Sequence, residues 1–184
     1  TLGKDTNWEL VFKDRIERIT EKIEKENIRL SMHPGQYTVL NSKDEDIVNK
    51  SIEDLMYHMY ILDLFKTKKN SKIVVHIGGV YGDKAKSKLR FIHNYNKLDE
   101  KLKERLVIEN DDRSYNIEDV LEIGNTAKIP VVFDNLHNSV NKSNLDLSER
   151  ELIDLCKKTW SKDDLPQKIH YSQNDIKKSP QAHS

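Results

Sequence analysis

Short apolar runs alternate with longer amphipathic segments along this chain of 184 residues, and the alternation restricts the possible folds more than any other feature. Apolar residues at steps of three and four are typical of helices, whereas short β-branched runs closed by Gly or Pro are typical of strands. Asn116 is expected to cap one helix, and Ser148 and Glu151 have the spacing of a capping box. The pattern predicts strands over 28–33, 72–77, 105–109, 130–134 and 168–172, and helices over 8–26, about 46–66, about 87–103, 117–127 and 148–160.

Strands that alternate with helices indicate a parallel sheet with crossover helices, either an open doubly wound sheet or a (β/α)₈ barrel. An open sheet of this kind would be expected to carry a glycine-rich phosphate turn, and neither GxGxxG nor GxxxxGK[ST] occurs. The functional residues of a barrel lie at the carboxyl ends of many strands. Because the chemistry-bearing residues of this chain fall there, we predict an α/β fold: an incomplete TIM barrel of about five parallel strands.

The length of the chain conflicts with a closed barrel. A closed eight-stranded barrel typically needs about 250 residues, and five βα units of about 35 residues each account for nearly all of residues 1–184. A five-stranded parallel sheet left open would expose two edges and an unfinished core. We therefore expect a single partial barrel domain over 1–184 that is the middle of a longer polypeptide, with the remaining strands of the barrel outside it.

Composition excludes several classes of protein. The single cysteine, Cys156, rules out a disulfide framework and a cysteine-based zinc site. The 31 basic residues balance 31 acidic ones, so a uniformly basic nucleic-acid coat is excluded, although a local basic patch is not. No apolar run approaches the length of a membrane span and no charged-then-apolar leader opens the chain, so we predict a cytoplasmic protein.

Each predicted strand ends in a residue type that binds metal ions. His33, Glu109 and Asp134 are the last residues of their predicted strands, His76 lies one residue before the end of its strand, and His170 lies two residues before the end of its strand. Side chains alternate along a strand, and the strand ends of a barrel converge at one rim. Each residue alone is more often a hydrogen-bonded side chain or a helix cap than a ligand. Their occurrence in five successive strands is what indicates a metal site.

Two further histidines, His137 and His183, follow the strand ends and enlarge the candidate ligand set. Imidazole and carboxylate ligands without thiolates suit Mn²⁺, Zn²⁺ or Fe²⁺. Seven ligands are too many for one ion and fit two or three, with a carboxylate as the bridge, an arrangement suited to phosphoryl transfer. His58 and His93 fall in the middle of predicted helices, so we interpret both as structural.

Five motifs that occur in order along the chain resemble the UV damage endonuclease family, which shares its metal-dependent barrel with the endonuclease IV class of abasic-site nucleases. The resemblance runs from about Ile28 to His183, and it implies that the first two strands and the last strand of the barrel lie outside this chain. The family's second histidine after His137 is replaced here by Asn138. The motifs are His33-Pro34-Gly35-Gln36-Tyr37, His76-Ile77-Gly78-Gly79-Val80-Tyr81-Gly82-Asp83-Lys84, Glu109-Asn110-Asp111-Asp112, Phe133-Asp134-Asn135-Leu136-His137 and Lys168-Ile169-His170-Tyr171-Ser172.

The resemblance implies a DNA repair endonuclease that nicks damaged double-stranded DNA immediately 5′ to a pyrimidine photoproduct or related lesion. It implies two or three divalent metal ions, with Mn²⁺ expected and Zn²⁺ as the alternative. No membrane and no obligate protein partner is expected. Glu109 and Lys168, which matches a lysine beside the metals, would carry the catalytic role. The residues that match the family's metal ligands are His33, His76, Glu109, Asp134, His137, His170 and His183.

Three residues are candidates for binding the DNA. Gln36 and Tyr37 match residues that probe the distorted bases in the family that the chain resembles. A lesion weakens stacking, so its extrusion costs less than that of a normal base, and Tyr37 offers a ring to wedge while Gln36 offers an amide to an orphaned base. Lys84 begins a run of basic residues after the His76 strand, and these residues are candidates for phosphate contacts.

Two other functions stay open at this point. A metal-dependent sugar isomerase or epimerase uses a similar barrel with His, Glu and Asp ligands, but it would typically need fewer metals and would lack the wedge pair. A catalytically inactive fragment would bind metal or DNA without turnover. Metal content does not separate these three functions, whereas nicking of damaged DNA does.

Overall fold

The computed structural model describes residues 7–173, and within them five parallel strands form one sheet in the order β1-β2-β3-β4-β5. Strands that are consecutive in the sequence are neighbours in the sheet, and every pair is parallel. The predicted α/β fold with five parallel strands is therefore confirmed. The strands are β1 (Ser31–Met32), β2 (Lys72–Val75), β3 (Leu106–Glu109), β4 (Val131–Asp134) and β5 (Ile169–His170).

The sheet is strongly curved, as contacts between side chains from its two edges show. Neighbouring strands lie about 4.8 Å apart, so β1 and β5 would be about 19 Å apart in a flat sheet. The ring centroids of His33, after β1, and His170, in β5, are only 6.1 Å apart. Lys168 Nζ, just before β5, contacts Ser31 Oγ in β1. The sheet is therefore an arc with a concave inner face, as the strands of a barrel require.

Helices connect the strands and cover the convex face of the sheet. None of the helices among residues 7–173 is long and apolar enough to cross a membrane. The helices are α1 (Trp8–Val11), α2 (Lys13–Lys25), α3 (Glu45–Leu64), α4 (Lys84–Asn96), α5 (Glu100–Lys103), α6 (Ile117–Ala127), α7 (Asn135–Val140) and α8 (Glu149–Lys157), followed by a short 3-10 turn at Lys162–Asp164.

Two predicted helices are broken in the structure. The helix predicted over 8–26 divides at Phe12, where the backbone leaves the helical region (φ −104°, ψ 10°). The helix predicted over 87–103 begins earlier, because the Asp83 side chain accepts a hydrogen bond from the backbone N–H of Lys86 and caps α4. It also stops at Asn96, and Asp99 caps the separate helix α5.

The strands are shorter than predicted, and one predicted loop is a helix. The strand predicted over 28–33 pairs only at Ser31–Met32, and β2 ends at Val75, so His33 and His76 lie one residue beyond their strands. The segment between the predicted strand 130–134 and the predicted helix 148–160, which we expected to be a polar loop, begins with helix α7. The Asp134 carboxylate caps this helix by accepting a hydrogen bond from the backbone N–H of His137. The helix predicted through Trp160 ends at Lys157.

Two predicted caps are confirmed. The Asn116 side chain accepts a hydrogen bond from the backbone N–H of Asp119 at 3.1 Å and begins α6. Ser148 and Glu151 form a reciprocal capping box at the start of α8. Each such cap satisfies helix donors that would otherwise lack a partner, which stabilises a helix by about 1 kcal/mol.

Apolar side chains fill both faces of the sheet. The convex face packs against the helices around a large core that includes Ile73, Leu106 and Val131. On the concave face, one residue from each central strand packs against Trp160, whose Nε1 donates a hydrogen bond to the Val131 carbonyl at 2.7 Å. This inner layer lies beneath the residues at the strand ends, because it is formed by Val74, Val107 and Val132, two positions before His76, Glu109 and Asp134.

Gly124 lies where α6 packs tightly against β4, and we predict that Gly124→Ala destabilises the protein. Alanine usually stabilises a helix interior relative to glycine by about 0.5–1 kcal/mol. A Cβ at position 124, however, would lie 2.5 Å from Val131 Cγ2 and 2.8 Å from the Ile129 carbonyl oxygen. We expect the free energy of unfolding to fall by about 1–3 kcal/mol, measured as a lower urea midpoint.

The matched control is Asn125→Ala, at the next and exposed position of the same helix. This variant should keep or slightly raise the urea midpoint, because alanine has the higher helix propensity and meets no neighbour. A Gly124→Ala protein as stable as the wild type would contradict the close packing of α6 on β4.

Candidate metal centre

Imidazoles and carboxylates meet at the carboxyl ends of the strands, on the concave side of the sheet. The Nε2 atoms of His33 and His76 each lie 3.1 Å from Glu109 Oε2. Nδ1 of His170 contacts the other carboxylate oxygen, Oε1. The ring of His137 packs edge-on against His76, with centroids 5.5 Å apart. Three strand ends thus direct imidazole nitrogens at the single carboxylate that ends β3.

Glu109 is buried in this cluster, with only 1% of the residue exposed. Burial pushes the pKa of Glu109 upwards, but the hydrogen bonds from His170, His33 and His76 outweigh it and hold the pKa well below its ordinary value. The hydrogen bond to Glu109 in turn raises the pKa of His33 against the effect of burial. The centre therefore stabilises a negative charge on Glu109 and positive charge around it.

Asp134 adds a second buried carboxylate beside the first. Its Oδ1 accepts a hydrogen bond from the backbone N–H of His137 at 2.7 Å. Its Oδ2 is buried and has no hydrogen-bond partner within residues 7–173, and the nearest imidazole nitrogen, Nδ1 of His170, is 3.8 Å away. A buried carboxylate oxygen of this kind is costly unless a cation or donor compensates it.

The donor set fits divalent cations in two overlapping groups. In each group, one nitrogen or oxygen atom from every member lies within 4.8 Å of the others. Imidazoles and carboxylates without thiolates are the ligands of Mn²⁺ and Zn²⁺, and a cation would take the place of the protons between these atoms. The groups share Glu109: one is His33, His76 and Glu109, and the other is Glu109, Asp134 and His170.

His137 is oriented by a backbone contact that the sequence did not indicate. Its Nδ1 donates a hydrogen bond to the Asn110 carbonyl at 2.9 Å. This bond fixes the tautomer and places the lone pair on Nε2, the usual arrangement for a metal-binding histidine. His137 is buried on α7, directly after β4.

Two asparagines that received no role in the sequence analysis hold the strand ends together. The Asn110 side chain donates to the carbonyl of Asp134 at 3.0 Å and accepts from its N–H at 2.9 Å. Asn135 makes the same pair of bonds with the backbone of Ser172 at 3.1 and 2.8 Å. Both residues lie within the motifs quoted above, but nothing in the sequence showed that their amides would extend the ladder.

Lys168 approaches the centre from β5. Its ammonium contacts Ser31 Oγ across the concave face. Burial lowers the pKa of Lys168 below its usual range, although the negative charge of Glu109 opposes the shift. Lys168 is therefore a half-buried cation close to the Glu109 carboxylate.

A cavity of about 920 Å³ opens beside His33 and His76. The turn that follows β1, with Gln36 and Tyr37, forms part of its lining. Tyr37 is 82% exposed, so its ring is not packed on the barrel rim. The loop after β3, including Arg113, lines the same cavity.

Lys84 is not among the described residues that line this cavity. Its Nζ pairs with Asp119 Oδ2 at 2.8 Å and lies 5.7 Å from the centroid of the Tyr115 ring. Lys88 pairs with the same aspartate and with Glu122. The run of basic residues after β2 therefore includes lysines that bind α6. No local sequence signal marks these ion pairs, because the acidic partners lie more than 30 positions away.

The structure thus brings together six of the seven predicted ligands, and their role as ligands stays a prediction. The seventh, His183, lies outside the described residues. His58 and His93 lie within α3 and α4, as expected. His58 is held there by a bond between its Nδ1 and the Asp54 carbonyl at 2.7 Å.

Comparison with known proteins agrees with these motifs. A family model described as UV-endonuclease UvdE matches residues 3–184. A protein of Clostridium perfringens named UV DNA damage endonuclease is 48% identical over 97% of this chain and 43% of its own length. One of Bacillus cereus with the same name is 37% identical over 88% of this chain and 50% of its own length. The chain therefore spans about half the length of these relatives.

Solved structures give the same result for the fold. The crystal structure of SacUVDE is 37% identical, with a TM-score of 0.87 over 99% of this chain and 61% of that one. Endonuclease IV of Thermus thermophilus (TM-score 0.57, 15% identity) and a D-psicose 3-epimerase of Clostridium cellulolyticum (0.62, 13%) share the fold alone. The five strands are thus part of a TIM barrel, as predicted. The chain belongs to the UV-endonuclease UvdE family.

Proposed function

We propose that the protein is a metal-dependent DNA repair endonuclease that cuts one strand immediately 5′ to UV photoproducts and related lesions. The observation that supports this best is the buried Glu109 carboxylate in contact with three imidazoles, on a chain of the UvdE family. The names of the relatives support damaged DNA as the substrate. A DNA substrate would place the protein inside the cell.

The centre would hold two or three divalent ions, with Mn²⁺ expected and Zn²⁺ as the alternative. Such ions, when bound, lower the pKa of water and stabilise charge on phosphate oxygens. The two groups that share Glu109 support at least two positions. His137, with its Nε2 lone pair set by Asn110, would complete the set, and His183 is proposed from the resemblance alone.

The chain's own residues would orient the substrate around these ions. Glu109 would act as the shared anionic ligand, because its surroundings keep it ionised. Lys168, half-buried beside it, would bind a non-bridging phosphate oxygen of the scissile group through its ammonium. The inner layer of Trp160 and the three valines, which lies beneath the strand ends, would exclude water from that side of the centre.

Lesion recognition would use the exposed turn after β1. Tyr37 would wedge or stack against the distorted bases, and Gln36 would offer its amide to an orphaned base. Both residues line the cavity beside His33 and His76, so a base held there would lie next to the proposed metals. Lys84 would contact a DNA phosphate only after its ion pair with Asp119 breaks.

The first prediction concerns activity. Glu109→Gln keeps the size of the side chain but removes the charge that the three imidazoles face. We expect nicking of UV-irradiated supercoiled plasmid with Mn²⁺ to fall by about 100-fold or more, since even outer partners of metal ligands contribute about 10–100-fold. The measurement is the rate at which open circles form, with and without irradiation.

The matched control is His93→Gln, because His93 is an exposed histidine in the middle of α4. It should nick at the wild-type rate. Equal nicking by wild type and Glu109→Gln would contradict the assignment of Glu109. Epimerisation of a ketose without nicking would favour the sugar-isomerase alternative.

The second prediction concerns metal binding without turnover. Asp134→Asn removes the negative charge on the buried oxygen that lacks a partner, while asparagine still caps a helix well. We expect Mn²⁺ affinity to fall by about 10–100-fold with little change in thermal stability, measured by electron paramagnetic resonance of the free ion.

Asp44→Asn is its control, since Asp44 also caps a helix: its side chain accepts a hydrogen bond from the backbone N–H of Asp46 at the start of α3. That variant should bind Mn²⁺ as the wild type does. If both substitutions, or neither, changed Mn²⁺ affinity, Asp134 would not be a ligand.

The third prediction concerns recognition. Tyr37→Ala should leave stability unchanged because the ring is mostly in solvent. We expect the preference for a photoproduct-containing duplex over the undamaged one to fall by about 10-fold, the size of one lost stacking contact. The measurement is fluorescence anisotropy in EDTA, which reports binding without cleavage. The control is Tyr57→Ala, because Tyr57 is a half-exposed tyrosine on α3. An unchanged preference would contradict the role of Tyr37.

A further inference from the structure

Tyr81 has a backbone conformation that tyrosine rarely adopts. Its φ angle is +53°, in the left-handed region, between Gly78 at +109° and Gly82 at +81°. A large side chain in this region is strained, and such residues cluster at functional sites when the surrounding structure holds them there. The turn after β2 therefore holds a tyrosine in a strained backbone conformation that glycine would adopt without strain.

The contacts that hold Tyr81 come from two separate segments, α4 and the loop before α3. The Arg90 guanidinium lies 5.4 Å from the centroid of the Tyr81 ring. Arg90 is itself fixed by bonds to the Asn41 carbonyl at 3.0 Å and to Ser87 Oγ at 2.8 Å. Lys43 Nζ donates to the Tyr81 carbonyl at 3.0 Å. These contacts leave the ring little freedom.

Gly79 is needed for the same arrangement. A Cβ at position 79 would lie 3.0 Å from Cε2 and 3.1 Å from Cζ of the Tyr81 ring. These distances are shorter than ordinary carbon contacts, so the ring rests directly on the glycine backbone. Gly79 and Arg90 therefore both contact the ring and hold it in place.

The hydroxyl of Tyr81 faces a different environment from that of the neighbouring Tyr115. Tyr115 is fully buried, and its hydroxyl donates to the Gly79 carbonyl at 3.1 Å, so it supports the turn. Tyr81 is 38% exposed and lines the 920 Å³ cavity together with Tyr37. Its hydroxyl makes no hydrogen bond to any residue in the described range 7–173.

We propose that Tyr81 is a substrate-contacting residue whose hydroxyl donates a hydrogen bond to a phosphate oxygen of the DNA backbone. The proposal rests on the proposed function and adds a residue to the same cavity. A rigid tyrosine hydroxyl is a common donor to DNA phosphates, and such contacts set register without reading sequence. A base-stacking role does not fit, because Gly79 and Arg90 already contact the ring.

The test is equilibrium binding of the full-length protein to short duplexes in EDTA, by fluorescence anisotropy. Tyr81→Phe removes only the hydroxyl, and we expect about 10-fold weaker binding, the effect of losing one hydrogen bond to a charged group. A photoproduct duplex and its undamaged counterpart should lose affinity equally, because a phosphate contact carries no lesion information. Tyr57→Phe, on α3 and outside the cavity lining, should bind as the wild type does.

A second variant tests whether the position of the ring matters. Gly79→Ala should push the ring outward and weaken DNA binding in the wild-type background. In the Tyr81→Phe background, Gly79→Ala should weaken DNA binding much less, because the hydroxyl that it would displace is already absent. The effects of the two substitutions on the binding free energy should therefore be non-additive. Circular dichroism melting would confirm that each variant is folded.

Three results would overturn the proposal. One is unchanged affinity of Tyr81→Phe for both duplexes, and another is a loss confined to the photoproduct duplex, which would indicate a base contact. Strict additivity with Gly79→Ala is the third. Binding is measured without metal, so this test does not depend on nicking activity. A wild-type protein that binds DNA but does not nick it would contradict the proposed function and leave the role of Tyr81 untouched. A wild type that binds no duplex overturns both.

Discussion

A negative charge almost fully removed from water, on Glu109, is the constraint on which the rest of the structure depends. Such a charge is costly unless several partners compensate it. The partners come from β1, β2 and β5, on both sides of the strand that carries Glu109. They can reach one carboxylate only if the sheet is curved. The curvature, the strand order and the concave layer around Trp160 are therefore parts of one arrangement that serves this charge.

Much of the fold and of the centre could be predicted because both depend on periodic patterns. Alternation with period two placed His76, Glu109 and Asp134 above the inner valines, and α6 was predicted to its observed bounds. What could not be predicted depends on single contacts. The break at Phe12, the Asp83 cap that starts α4 early and helix α7 each follow from one backbone angle or one side-chain bond. No periodic signal marks such contacts.

Surface charge was the least predictable property. Lys84 and Lys88 resemble a phosphate-binding patch in the sequence, because basic residues are frequent from position 84 to 90. In the fold they bind Asp119 on the next helix but one, so much of their charge is neutralised within the protein. Arg113, by contrast, lines the cavity on a loop, and its side chain pairs with Asp112, its neighbour in the sequence, at 3.5 Å. Which cations are available to a polyanion is a property of tertiary contacts, not of local composition.

The asparagine pairs at the strand ends limit how this site can change during evolution. Each amide uses its donor and its acceptor on the backbone of the following strand. Aspartate at position 110 or 135 would place an acceptor against a carbonyl, and glutamine would add a methylene where the spacing is set by the ladder. Histidine, aspartate and glutamate can replace one another as metal ligands, but these two amides have no equivalent among the other side chains. The least replaceable residues around Glu109 are thus two that are not among the proposed ligands.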